Sequence, residues 1–123
     1  MSDFELTIER QRDSVRLKLR GELDISTGVR LEEDLRRVEA TEPALIVLDL
    51  ERLEFMDSTG LRLLITADSR ARESGRRLVL VNVGAMVRRL LHVTRLDERL
   101  EISDGPAPAP AQRNRTLSER AAT

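Results

Sequence analysis

Seven residues, Ala44-Leu45-Ile46-Val47-Leu48-Asp49-Leu50, make an apolar and β-branched run interrupted by one acid and entered from Pro43. A run of this kind reads as a strand covered on both faces, the type found inside parallel sheets. Leu78 to Val83 repeats the pattern. Parallel neighbours cannot be joined by a tight turn and need crossover connections, usually helices. These two strands therefore point to an α/β organisation.

The flanking segments supply the remaining elements. Phe4, Leu6 and Ile8 alternate with Glu5, Thr7 and Glu9, and Val15, Leu17 and Leu19 repeat the alternation after Gln11-Arg12-Asp13-Ser14. Two alternating strands joined by a short polar link predict an antiparallel hairpin, with Gly21 expected to end it. Ser26 and Thr27 are N-cap candidates for a helix carrying Leu31, Leu35 and Val38 on one face and stopping before Pro43. Leu61, Leu64, Ile65, Asp68 and Ala71 hold helical spacing, with Gly75 placed as a C-terminal stop. Gly84 precedes a third helix with Val87, Leu90 and Leu91, and Leu100 with Ile102 either adds a last short strand or packs as an extension. The order is β-β-α-β-α-β-α. It predicts a single α/β domain over residues 1–102: a mixed, mostly parallel sheet of four or five strands with helices packed on it. Whether the helices share one face is left open by the pattern.

Composition narrows the function classes. Apolar residues make up 40% of the chain, but Phe4 and Phe55 are its only phenylalanines and it has no tyrosine or tryptophan. The core must be aliphatic, and no stacking platform for single-stranded nucleic acid exists. Charged residues reach 35% yet balance to a net −1, without the cationic surplus that direct nucleic-acid binding requires. There is no cysteine, hence no disulfide or thiolate metal site. The N-terminal MSDFELTIERQRD lacks the apolar segment of a signal peptide. The longest uncharged run, Leu78 to Val87, is far short of the roughly 20 residues that span a bilayer. A cytoplasmic protein without membrane insertion is expected. Residues 103–123, ending GPAPAPAQRNRTLSERAAT, are expected to be a disordered tail, because prolines, small residues and charges cannot bury enough surface to offset ordering entropy.

The stretch Phe55-Met56-Asp57-Ser58-Thr59-Gly60-Leu61 sits where the central strand hands over to the second helix. It lacks the glycine two residues before the serine that a nucleophile elbow needs, and the lone histidine, His92, is set among Leu90, Leu91 and Val93 as a packing or helix-end residue. It is no phosphate loop, having one glycine and no lysine. Asp49, Asp57 and Asp68 do not form a metal-ligand spacing. Two readings remain open. In one, Asp57 or Ser58 simply caps the helix. In the other, Ser58 is a regulatory hydroxyl projecting from the helix start, where the helix dipole would accommodate a phosphate.

GELD at 21–24, IVLDL at 46–50 and FMDSTGL at 55–61, in this element order, resemble a STAS domain, and more narrowly a bacterial anti-sigma factor antagonist. The resemblance runs from about Phe4 to Ile102. It implies a binding protein that is not an enzyme and uses no cofactor. Its unmodified form binds an anti-sigma factor that is also a serine kinase of the histidine-kinase-like ATPase type, so that a sigma factor is freed. The kinase then phosphorylates the position matching Ser58, binding ends, and a phosphatase resets the switch. The same resemblance assigns partner binding to Asp24, Asp57, Ser58, Thr59 and Gly60. Ile25, Ser26 and Gly28 depart from the family's usual polar residues and Thr-Ala pair, and Arg95 stands where a glycine is frequent. The alternative within the family is an unmodified scaffold, a subunit of a sensory assembly or of a lipid transporter's cytosolic part.

Overall fold

The computed structural model describes residues 4–104. Of the tail expected from residue 103, Ser103 instead closes the last strand and Asp104 pairs with Arg88 at 2.6 Å, and residues from 105 on lie outside the described residues. Strand β1 (Phe4–Arg10) pairs antiparallel with β2 (Ser14–Leu23). Helix α1 (Ile25–Ala40) crosses to β3 (Leu45–Met56), α2 (Ser58–Glu73) to β4 (Arg77–Val81), and α3 (Ala85–Val93) with a 3₁₀ turn (Leu96–Glu98) to β5 (Glu101–Ser103). The sheet order is β1-β2-β3-β4-β5, parallel from β2 onward. The mixed, mostly parallel sheet and the β-β-α-β-α-β-α order are as expected.

Each crossover steps to the next strand in the same direction. Right-handed connections then put all three helices on one face. The core follows from this. Register aligns Val15 with Ile46 and Leu17 with Leu48, and aligns those two β3 residues with Leu78 and Leu80. Above them pack Leu31, Leu35 and Val38 from α1, Leu64, Ala67 and Ala71 from α2, and Val87 and Leu91 from α3. Leu45, Val47, Val79 and Val81 form a separate buried cluster on the other face. The run at 45–50 is therefore apolar on both sides, which is why it does not alternate.

Gly21 does not end β2. At φ 103° it takes a backbone that side chains disfavour, and the strand bulges at this point before pairing resumes as Glu22 with Phe55 and Leu23 with Met56. The first helix starts earlier than expected: its N-cap is Asp24, not Ser26 or Thr27. A carboxylate two residues upstream reaches the free N–H groups of both, and Thr27 closes a capping box by accepting from the Asp24 N–H at 2.9 Å.

Charged residues tie the layers together. Arg70 of α2 bonds Glu39 at 2.8 Å and Glu32 at 3.1 Å, joining α2 to α1. On the far face Asp49 is 4% exposed and accepts from Arg16 Nη2 at 2.7 Å, Asn82 Nδ2 at 3.0 Å and the Glu51 N–H at 3.0 Å. Burial pushes its carboxyl up, but the bonds from Asn82, Arg16 and Glu51 outweigh this and hold it below the usual carboxylate range.

Asp49→Asn should lower stability by on the order of 2 kcal/mol at pH 7, because Arg16 loses its anion. A carboxyl depressed on folding stabilises above its unfolded value, about 3.9, and loses that contribution below it. Urea unfolding of parent and variant should therefore converge as pH drops below about 4. Arg95, left-handed at φ 62°, is the expected glycine position. Arg95→Gly should raise stability by about 1 kcal/mol in the same assay.

Candidate functional site at the paired helix starts

Strands β2 and β3 run parallel and finish at the same level, Leu23 beside Met56. The Asp57 N–H donates to the Leu23 carbonyl at 3.3 Å. One residue beyond each strand end an aspartate caps a helix. Asp24 Oδ1 accepts from the N–H groups of Ser26 (3.0 Å) and Thr27 (3.1 Å), and Asp57 Oδ1 from those of Thr59 (2.9 Å) and Gly60 (3.4 Å). The Ser26 hydroxyl and the Thr27 N–H hold the Asp24 carboxyl below its ordinary range. The two helix starts, and with them Asp24, Asp57, Ser58, Thr59 and Gly60, lie side by side on one edge of the sheet.

Close packing is what allows this. A Cβ on Gly60 would collide with Met56 Cγ and come within 2.9 Å of its sulfur and 3.0 Å of Leu23 Cδ2. A Cβ on Gly28 would lie 2.9 Å from Leu63 Cδ1 and 3.2 Å from Thr59 Cγ2. Both glycines are buried: Gly28 lets α1 approach α2, and Gly60 lets the first turn of α2 close on the ends of β2 and β3.

Because Asp57 supplies the cap, Ser58 does not. Ser58 is the first residue of α2, is exposed, and its hydroxyl makes no hydrogen bond among the described residues. No imidazole stands beside it. His92 occupies the last turn of α3, at the opposite edge of the sheet, where its Nδ1 lies 3.0 Å from Asp97. Asp49 and Asp68 are buried partners of arginines, and among the described residues no three histidine, cysteine or acidic side chains gather as a metal site.

The residue pattern did not single out the apolar rim of this edge. Ile25 is 74% exposed, Val29 63%, Phe55 44% and Met86 43%. Phe55 lies near the end of β3, Ile25 and Met86 in first helical turns and Val29 one turn further along α1, all toward the same side as Ser58. The signal was present: Ile25 and Val29 are four apart but out of phase with the buried Leu31, Leu35 and Val38.

This fold and these motifs place the molecule in a known class. Residues 5–108 match the STAS domain, and the chain belongs to the STAS domain family. It is 33% identical over 86 residues to the anti-sigma-F factor antagonist RsfB of Mycobacterium tuberculosis, covering 70% of each chain. An anti-sigma-B factor antagonist of Listeria monocytogenes is 30% identical over 96 residues, 78% of this chain and 84% of that protein. The crystal structure of an anti-sigma factor antagonist from Mycobacterium paratuberculosis superposes with a TM-score of 0.76 at 26% identity, over 84% of this chain and 87% of that one.

Asp57→Ala should cost about 1 kcal/mol, the usual worth of an N-cap. Gly60→Ala should cost about 2 kcal/mol, because Met56 is buried and cannot move aside freely. Denaturant midpoints of the two variants test the order.

Proposed function

We propose that this chain is an anti-sigma factor antagonist that acts in the cytoplasm as a binding protein and not as an enzyme. Its unmodified form binds an anti-sigma factor with serine-kinase activity, of the histidine-kinase-like ATPase type, and so frees a sigma factor. Modification of Ser58 ends binding, and a phosphatase restores it. The observation that carries this reading is the free, exposed Ser58 hydroxyl on a rigidly capped turn, rimmed by Ile25, Val29, Phe55 and Met86. The names of the relatives support the partner class. Among the described residues no helix is long and apolar enough to cross a membrane.

In the transfer step Ser58 Oγ attacks the γ-phosphorus of ATP held by the kinase. The bond to the bridging oxygen breaks, ADP leaves, and the hydroxyl proton passes to a base on the kinase. The product carries about −1.5 to −2 charges at pH 7. At the first position of α2 the helix dipole favours that charge, so the fold tolerates it. The partner does not tolerate it: like charges brought together at an interface cost several kcal/mol, and about 4 kcal/mol is a thousandfold in affinity. Asp24, Asp57 and Thr59 complete the contact surface, and the buried Gly60 supports it from beneath by letting the first turn of α2 close on Met56 and Leu23.

Incubation with the kinase and ATP, followed by mass spectrometry, should place one phosphate on Ser58. Ser58→Ala should remain bound in the presence of ATP, and Ser58→Asp should bind at least about a hundredfold more weakly by calorimetry. Equal binding of both variants would overturn the switch. Co-purification with a transporter ATPase in place of a soluble kinase would favour the scaffold alternative.

A further inference from the structure

We propose that Arg62 is the internal ligand of a phosphate on Ser58. This rests on the reading of Ser58 as the acceptor and adds a residue to it. Ser58 and Arg62 are four apart on α2 and both are exposed, so they share one outward face. Side chains on a helix lean toward its N-terminus, which carries the Arg62 guanidinium back over the first turn, toward Ser58.

The other two arginines of α2 are occupied, Arg70 by Glu32 and Glu39 and Arg72 by Asp68. The Arg62 guanidinium makes no hydrogen bond or ion pair among the described residues; only its carbonyl is used, accepting from the Thr66 hydroxyl at 2.8 Å. The two capping acids, Asp57 before α2 and Asp24 before α1, direct their carboxylates at backbone N–H groups of their own helices.

A phosphate on Ser58 meets the positive end of the α2 dipole below it, where Asp57 already holds the Thr59 and Gly60 N–H groups, and a planar guanidinium able to bond two of its oxygens above. The order, anion first and cation four residues later, is the favourable one on a helix. Pairing also withdraws Arg62 from the face that the unmodified protein offers to its partner. Modification adds about −1.5 to −2 charges to this face, of which the Arg62 cation offsets about one.

The test installs phosphoserine at position 58 during translation, in the full chain, so the outcome does not depend on any kinase. Phosphorus NMR then follows the second ionisation of the phosphate at low ionic strength in the parent, Arg62→Gln and Arg62→Lys. The parent should titrate about half a unit below Arg62→Gln, with Arg62→Lys between them and the gap narrowing in 1 M salt. Equal titration of parent and Arg62→Gln, or a gap indifferent to salt, would overturn the pairing. Thermal unfolding of the unmodified Arg62→Gln protein should match the parent, since the side chain has no partner to lose; a clear drop would assign Arg62 a structural role and overturn the proposal. Failure of a kinase to use Ser58 would instead remove the switch while leaving the titration result intact.

Discussion

The parallel pairing of β2 with β3 is the constraint on which the functional edge depends. It brings Leu23 level with Met56, and the Asp57 N–H bond to the Leu23 carbonyl continues the pairing one step beyond the strands. Both chains must turn there into helices on the same face, so two helix N-termini emerge next to each other. Their unpaired N–H groups and dipoles make this edge electropositive in its backbone, and each is answered by an aspartate cap.

Small residues convert that proximity into a surface. Gly28 removes the Cβ that would hold the first turns of α1 and α2 apart, and Gly60 the one that would lift α2 off Met56 and Leu23 at the strand ends. Arg70, between Glu32 and Glu39, joins the same two helices further along. The turn carrying Ser58 is thereby held rigid while its hydroxyl stays free. That exposed hydroxyl, at a helix start capped by Asp57, is the group on which the proposed modification rests.

Much of this was legible in the residues. The alternation of Phe4 to Glu9, the unbroken run at 45–50 and the spacing of Leu31, Leu35 and Val38 are one-dimensional signals of period two or 3.6, and they survive in the fold. Local ambiguities did not resolve so well. Ser26, Thr27 and Asp24 are all competent caps, and the choice of Asp24 depends on where β2 ends. That depends in turn on Gly21 forming a bulge and not a stop, because pairing with β3 continues past it. The choice between Asp57 and Ser58 was open for the same reason, since only the backbone path decides which side chain faces the free N–H groups.

By itself the sequence determined the element order, the aliphatic core, the absence of any thiol chemistry and the DSTG turn, because each is written in residue identity and local spacing. The tertiary structure alone decided that all three helices share one face, that Asp57 caps so that Ser58 is left free, and that Ile25, Val29, Phe55 and Met86 rim the same edge. These depend on strand order and register, which are set by pairings between residues distant in sequence, such as Leu23 with Met56 and Val79 with Glu101, and have no local signature.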